Sequence, residues 1–263
     1  MARISSAGRV TSSGRVAASS RATPSTRDPD ILKPSSAVLY ASLSSQTGFT
    51  TANTGTLGST LQLGDGVTGS TKPAQISPNG VTLTGTEYMT YPDDGSLDFA
   101  NGVNFSIEFA VGQVVDGGTI LCVMQKVKDD GGLVGASGNH GFDVLLRNDT
   151  AGNPLQFRCR DTNNTSANLS GSVDMTTSGV KHVVINMKWA TAEIYINGIL
   201  NASGSFAGLA GTLSTNGTLY IATAGASGFY FVTANLYRPI IRRVALTASE
   251  VSLAYYNFFK DDF

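Results

Sequence analysis

Five arginines recur at a strict spacing of six residues in the first part of the chain, and no acidic residue lies among them. A guanidinium group makes bidentate contacts with carboxylates and phosphates. Six is a multiple of the strand period of two and of the polyproline period of three, so an extended segment would present every guanidinium group on one face, about 20 Å apart. On an α-helix the same spacing would turn each side chain about 120° from the last and scatter them. The arginines are Arg3, Arg9, Arg15, Arg21 and Arg27.

Residues 1–36 consist mainly of Ser, Arg, Ala, Thr, Gly and Pro, and such a segment buries too little apolar surface to fold alone. One interpretation is a flexible tail with coincidental spacing; the other, which we favour, is an extended arm that lies along a partner. Residues 1–27 carry a charge of +5 and residues 28–263 a charge of −6, so the arm can pair with the acidic body of a neighbouring copy. Guanidinium groups about 20 Å apart would contact few DNA phosphates, so nucleic acid is not an expected partner.

Residues that could act as acids, bases or nucleophiles are few. The only histidines, His140 and His182, fall in different predicted elements, and no Gly-x-Ser-x-Gly nucleophile elbow occurs. We therefore expect His182 to be a structural polar residue rather than a general base. Cys122 and Cys159 lie in strand-like runs and are interpreted as buried thiols; a disulfide is the alternative, but no apolar signal segment indicates an oxidising compartment. No apolar run approaches the roughly 20 residues of a membrane span, so no membrane partner is expected.

The elements that would position these residues are strands. Residues 181–200 (KHVVINMKWATAEIYINGIL) alternate with period two, so that Val183 to Trp189 place apolar side chains on one face, and Ile194 and Ile196 repeat the pattern. Asn197-Gly198 is the strongest short-range turn signal. The segment therefore predicts a hairpin with one buried face and a buried Trp189.

The same alternation predicts about a dozen strands without interleaved helices, which indicates an all-β antiparallel sandwich or jelly roll. One helical signal closes the chain, because Thr247 and Glu250 form a capping box before apolar residues at helical spacing. Outside the hairpin, and after a Thr/Gly/Ser-rich stretch that ends near residue 79, the predicted strands are residues 37–43, 81–84, 87–91, 105–111, 119–126, 142–147, 155–160, 219–223, 229–232 and 236–246.

Three motifs in order along residues 37–257 resemble those of laminin-G-like, concanavalin A-like lectin/glucanase jelly rolls. The first is GTEYMTYPDDGSLDF, which ends at Phe99 and is followed by NFSIEFAV. The second is the hairpin, where His182 and the Y-x-N-G ending at Gly198 match an "H-V-A … L-Y-V-N-G" pattern. Val180 stands where the family often has Trp. The third is a closing strand and helix, carried here by Arg243, Leu246, Thr247, Glu250 and Val251.

This resemblance implies two curved sheets used for carbohydrate or protein binding and, in some members, for glycoside hydrolysis. Hydrolases of this fold carry a Glu-x-Asp-x-Glu strand that places two carboxylates beside the scissile bond. None of the four glutamates here has a second carboxylate two residues away, so we expect a protein that is not an enzyme. The glutamates are Glu87, Glu108, Glu193 and Glu250.

Lectin-like relatives often hold Ca²⁺ through loop carboxylates, and the Asp93-Asp94-Gly95 and 129–132 loops are candidates. Asp-Gly pairs are equally common turn residues, so we assign no metal ligand and expect no cofactor. Exposed tyrosines could form a sugar platform, and Tyr88, Tyr195 and Tyr230 are candidates that the sequence cannot place.

We predict two regions, an extended arm over residues 1–36 and a laminin-G-like sandwich over residues 37–263. The favoured hypothesis is a structural protein of a bacteriophage virion, assembled in the host cytoplasm: a capsid decoration, minor capsid or tail-associated protein. Its partners would be other virion proteins and neighbouring copies, reached through the arm. The alternative is a carbohydrate-binding adhesin or tail-fibre module that recognises host glycans. A glycoside hydrolase or lyase ranks last.

Overall fold

The computed structural model describes residues 37–48, 50–56, 60–66, 71–76, 80–116, 119–128, 133–134, 139–213, 215–225 and 230–262. The predicted arm with its five arginines and the 129–132 loop lie outside these residues. Within the described ranges, no helix is long and apolar enough to cross a membrane.

Sixteen strands and one C-terminal helix, α1 (Ala248–Asp262), make up the described fold. The strands are β1 (Ala37–Thr47), β2 (Thr50–Asn53), β3 (Thr60–Leu63), β4 (Ala74–Ile76), β5 (Gly80–Thr84), β6 (Met89–Tyr91), β7 (Phe105–Gly112), β8 (Ile120–Val127), β9 (Gly141–Arg147), β10 (Pro154–Arg160), β11 (Ser166–Asp174), β12 (Lys181–Met187), β13 (Thr191–Ile196), β14 (Ile199–Ser205), β15 (Leu219–Ile221) and β16 (Thr233–Arg242).

The strands form two antiparallel sheets. The first has the order β4-β5-β16-β7-β12-β13-β14, and the second has the order β1-β2-β3-β6-β15-β8-β9-β10-β11. The long strand β1 belongs to both, because its first residues pair with β16 and its later residues pair with β2. On the far side, hydrogen bonds between Ser172 and Asn201 tie the edge strands β11 and β14 together. The predicted all-β jelly-roll sandwich with a short C-terminal helix is confirmed.

One apolar core lies between the sheets and is rich in phenylalanine. The ring of Phe105 on β7 stacks on Phe99 with 4.0 Å between centroids, and it meets Phe142 and Phe157 of the second sheet at 5.9 and 6.3 Å. Burying each such ring contributes about 1.5–3 kcal/mol. These contacts hold the two sheets face to face.

The helix α1 covers the outer face of the first sheet. Its Val251 packs in one apolar cluster with Val184, and its Phe258 packs with Ala110 and Tyr237. The predicted capping box begins the helix, because Glu250 accepts hydrogen bonds from the backbone N–H and the hydroxyl of Thr247. Both faces of the first sheet are therefore buried around these residues.

The structure differs from the predicted strands at several positions. β11 was not predicted, and β2 to β4 lie within the Thr/Gly/Ser-rich stretch for which no individual strands were named. Residues 230–232, predicted as a strand, are irregular, and Tyr230 has a φ of 63°. The last strand ends at Arg242 rather than Leu246. The remaining predicted strands are present with shifts of a few residues at their ends.

Trp189 lies beyond the end of β12, the strand predicted to include it. Its φ is 52° and it lies in the turn between β12 and β13, so the alternating pattern stops at Met187. The indole is half-buried against the core, and its Nε1–H donates to the carbonyl of Leu209 at 3.1 Å. Asn197 and Gly198 form the predicted turn, with φ values of 52° and 77°.

Cys122 and Cys159 are buried free thiols, which confirms the thiol interpretation. Burial raises the pKa of both groups well above the ordinary value, because an apolar environment disfavours the thiolate.

Candidate functional site

A row of polar side chains crosses the outer face of the second sheet at right angles to its strands. In most of these strands the neighbours of these residues pack in the core, so alternation places the polar residues outward. Each is the register partner of the next. From β2 to β11 the row is Thr50, Gln62, Thr90, Tyr220, Gln125, Asp143, Arg158 and Asn168.

The middle of this row is closed to solvent. Asp143 is fully buried and accepts two hydrogen bonds from the Arg158 guanidinium, at 2.8 and 2.6 Å. The backbone N–H of Val134 donates to the same carboxylate at 2.8 Å. Burial raises the pKa of Asp143, although the Arg158 guanidinium opposes the shift. The bidentate pair and the Val134 N–H together hold the buried Asp143 carboxylate in place, so the pair acts as an internal anchor.

One end of the row opens into a groove of about 440 Å³, which we call the tyrosine groove. Two tyrosyl rings, two hydroxyl side chains, one amide and one carboxylate line it, and this mixture can both stack on a ligand and hydrogen-bond to it. The described lining residues are Gln62, Gly64, Asp65, Tyr88, Thr90, Pro92, Thr218 and Tyr220.

Backbone contacts fix the wall of the tyrosine groove. Gly64 donates its N–H to the carbonyl of Tyr88 at 2.7 Å, and Tyr88 donates to the carbonyl of Thr71 at 3.3 Å. Gly64 has a φ of +64°, and a Cβ there would lie 2.5 Å from the Thr71 carbonyl oxygen, so only glycine fits. The Tyr88 ring rests at 6.2 Å from the ring of Phe231. Burial and the Asp65 carboxylate both raise the pKa of Tyr88, so its phenol stays protonated.

The other end of the row carries a smaller cavity of about 180 Å³ beside Arg158 and Asn168. Val134, Ala167 and the buried thiol of Cys159 also line it. This cavity is mainly apolar and its one charged side chain is already bound to Asp143, so the tyrosine groove is the stronger candidate site.

The Asp93-Asp94-Gly95 loop, considered as a calcium site, is held by a lysine. Lys126 is 1% exposed, and its Nζ donates to Asp93 at 2.8 Å, to Asp98 at 3.1 Å and to the carbonyls of Thr215 and Gly217. Four oxygens thus surround an ammonium group. In the part of the chain that the structure describes, no group of three or more His, Cys, Asp or Glu side chains could hold a metal ion.

His182 lies on the other sheet, beneath α1, and is 1% exposed. Its Nε2 lies 3.0 Å from Oε1 of Glu108, and the other carboxylate oxygen of Glu108 accepts a hydrogen bond from Arg242. The rings of Tyr255 and Phe258 cover the imidazole. The position agrees with a structural polar residue.

Among the tyrosines considered as sugar platforms, Tyr88 lines the groove, whereas Tyr195 is buried and donates to Glu193 at 3.0 Å. Tyr230 is 40% exposed. Gln62, Asp65 and Tyr220 were not predicted as site residues, because they meet only through pairing between distant short strands. The outward position of single polar residues within β3, β6 and β15 was the one available signal.

Three solved structures illustrate the similarity of the fold. The binding domain of Paraclostridial Mosquitocidal Protein 1 matches with a TM-score of 0.65 at 16% identity, over 85% of this chain and 52% of that chain. The botulinum neurotoxin serotype D ligand binding domain in complex with N-acetylneuraminic acid gives 0.62 at 14% identity, over 85% and 51%. The botulinum neurotoxin serotype G binding domain gives 0.62 at 18%, over 84% and 50%. The chain thus spans about half the length of each.

The search of curated proteins found no match. The sequence itself matches, over residues 83–252 and hence more than half of the chain, a family described as the concanavalin A-like lectin/glucanases superfamily. The match includes β6 to β16, which contribute the outward tyrosine of β15 and the aromatic core. The chain therefore belongs to the concanavalin A-like lectin/glucanase superfamily.

Proposed function

We propose that the chain is a non-enzymatic carbohydrate-binding domain whose ligand site is the tyrosine groove. The observation that carries the proposal is the combination of two tyrosyl rings with amide, hydroxyl and carboxylate groups in one open groove on a lectin-like sandwich. A sugar offers apolar C–H faces and many hydroxyls, and these features suit such a lining. The paired carboxylates of the glucanase members are not among the described residues of this groove.

The solved structures with a similar fold also support a binding function, because they are named as binding domains. One of them is a neurotoxin ligand binding domain solved with N-acetylneuraminic acid, which is a sugar. Identity with these structures is below one fifth, and the groove residues of this chain carry the proposal.

Replacing Tyr88 with alanine is expected to weaken glycan binding by about tenfold or more, because the variant loses the stacking ring while leaving the hydrophobic core intact. A tenfold loss corresponds to about 1.4 kcal/mol. The measurement is a glycan array with the full chain, followed by titration calorimetry on the glycans that bind. Tyr256→Ala is the matched control, because Tyr256 is 60% exposed on α1 and belongs to the other sheet's face.

Equal affinity of the Tyr88 variant and the Tyr256 variant would contradict the proposed site. Absence of binding to every glycan on the array would contradict the proposed function itself.

We further propose that this domain is carried on a bacteriophage virion and is anchored there by residues 1–36, in agreement with the hypothesis drawn from the sequence. The support is the arginine spacing and the opposite charges of arm and body, +5 and −6. Anchoring on a capsid or tail and glycan recognition are compatible, because they use different parts of the chain.

Deleting residues 1–30 is expected to abolish incorporation into particles while the sandwich remains folded, since the guanidinium groups would be lost and the core strands kept. Particles assembled with each variant are purified and the protein content is measured by immunoblotting. A second variant replaces the five arginines with lysine, which preserves charge and removes bidentate pairing. Normal incorporation of the deletion variant would refute the anchoring role.

A further inference from the structure

We infer that the tyrosine groove is closed at one end and receives the end of a glycan chain rather than an internal stretch of it. The inference rests on the proposed function and specifies which part of a glycan is recognised. Its starting point is the exposure along the polar row, which falls with each strand from β3 to β8. The row residues on these strands are exposed Gln62, half-buried Thr90, Tyr220 at 6% exposure and fully buried Gln125.

The 133–134 segment covers the row beyond Tyr220. Leu133 packs against an apolar cluster of β8 and β9 that is separate from the core between the sheets. The backbone N–H of Val134 donates to the carboxylate of Asp143 on β9 at 2.8 Å. Val134 also lines the smaller cavity beside Arg158, so the segment lies between that cavity and the tyrosine groove. The described residues thus divide the polar row into two separate openings.

Hydrogen bonds to buried groups hold the side walls of the groove. The wall that contains Tyr88 is fixed by the backbone hydrogen bond from Gly64. The opposite wall consists of Pro92 and Thr218. The Lys126 ammonium group donates to the aspartate that follows Pro92 and to the carbonyl that precedes Thr218, at 2.8 and 3.2 Å. Because Lys126 is 1% exposed, moving this wall would leave a buried charge without its partners, so the wall does not yield to a longer ligand.

The dimensions of the groove suit the end of a chain. The path from Tyr220 on β15 to Gln62 on β3 crosses two strand spacings, about 10 Å, which is the length of about two pyranose rings. The terminal ring would lie against Tyr220 and the next ring over Gln62. Further sugar units would leave across β2, where the row residue Thr50 is half-buried rather than covered.

The test uses soluble oligosaccharides that the full chain binds, each prepared in three forms. The first is unmodified, the second carries one further, different sugar at its non-reducing end, and the third carries that sugar at its reducing end. Titration calorimetry is expected to show that one of the two extensions weakens binding by about tenfold or more, because the added ring meets the closed end. The other extension should change the affinity by about twofold or less, since it lies over the open end.

Tyr220→Ala should reduce the discrimination between the two extensions, because it enlarges the closed end of the groove. Tyr256→Ala is the matched control, since Tyr256 lies on α1 on the other face and should leave the discrimination unchanged. Thermal unfolding checks that both variants are folded. The two extensions of the unmodified chain's ligands decide the inference even where the Tyr220 variant fails to fold.

Equal binding of all three forms would overturn the inference, because the groove would then be open at both ends. An equal loss from both extensions would overturn it as well, since the groove would then be closed at both ends, and so would unchanged discrimination in a folded Tyr220 variant. Each of these results would leave the proposed function standing. Failure to bind any glycan would overturn both.

Discussion

Replacing Glu108 with glutamine is expected to destabilise the protein by about 3–5 kcal/mol, because it removes the negative charge from a buried cluster of cations. Glu108 is 2% exposed on β7, and Arg242 and Arg238 are 2% and 4% exposed beside it. Glutamine keeps the volume but cannot compensate two guanidinium groups held away from water. Urea denaturation at neutral pH measures the change in the free energy of unfolding.

The same cluster predicts how stability depends on pH. Arg242 and the hydrogen bond from His182 hold the pKa of Glu108 well below its usual value, even though burial acts in the opposite direction. Because the folded pKa is the lower one, the stabilising contribution is complete above the unfolded pKa of about 4.3 and is lost as the pH falls through the folded value. The Glu108 carboxylate should therefore make its full contribution at neutral pH, and the difference between the unmodified chain and Glu108→Gln should shrink in strong acid.

Glu193→Gln is the control for this prediction. Glu193 has an 18% exposed side chain and pairs with Lys188, which is 39% exposed, so solvent screens the pair and its loss should change stability by about 1 kcal/mol or less. A Glu108→Gln variant that is as stable as this control would show that the buried guanidinium groups do not need the carboxylate.

Replacing Phe258 with alanine should cost about 3–5 kcal/mol, since the ring is 1% exposed and joins α1 to the first sheet. Its centroid lies 5.4 Å from the ring of His182 and 6.2 Å from that of Tyr237, and the Arg238 guanidinium lies 5.1 Å away. Alanine would leave a cavity over the buried cluster and admit water to it. Denaturant unfolding monitored by fluorescence and circular dichroism measures the effect.

Leu253→Ala serves as the matched control on the same helix, because Leu253 is 52% exposed and its truncation should change stability by about 0.5 kcal/mol or less. Similar midpoints for the Phe258 and Leu253 variants would mean that α1 contributes little to the fold. The Phe258 variant thus reports on the packing of α1 against the sheet, and the Leu253 variant reports on the effect of an alanine substitution elsewhere on the helix.

Local patterns were sufficient to predict the fold class. Three features depend only on residues a few positions apart, so their structure can be derived from the sequence. They are the alternation in β7 and β12, the Asn197-Gly198 turn and the Thr247 capping box. β11 was missed because Leu169 is its one buried side chain, and it is a strand through pairing with β10 rather than through its own composition.

The candidate site was much less predictable. Tyr88 could be named as a possible platform, but Gln62, Thr90 and Tyr220 become neighbours only through the register of three strands of three or four residues. Strands this short carry almost no periodic signal. Glu108 and His182 were expected to be non-catalytic, and their pairing with each other beneath α1 was not foreseen.

By itself the sequence determined an antiparallel sandwich, its central hairpin and its closing helix, because the period of apolar residues and the capping chemistry are encoded over short distances. Tertiary structure alone decided which polar residues line the tyrosine groove. It also placed the Lys126 ammonium group, rather than a metal ion, beside Asp93 and Asp98, and it brought Glu108 to Arg242. Those contacts join residues far apart in the chain. Their geometry follows from strand register and from the docking of one helix, and neither is specified by any local pattern.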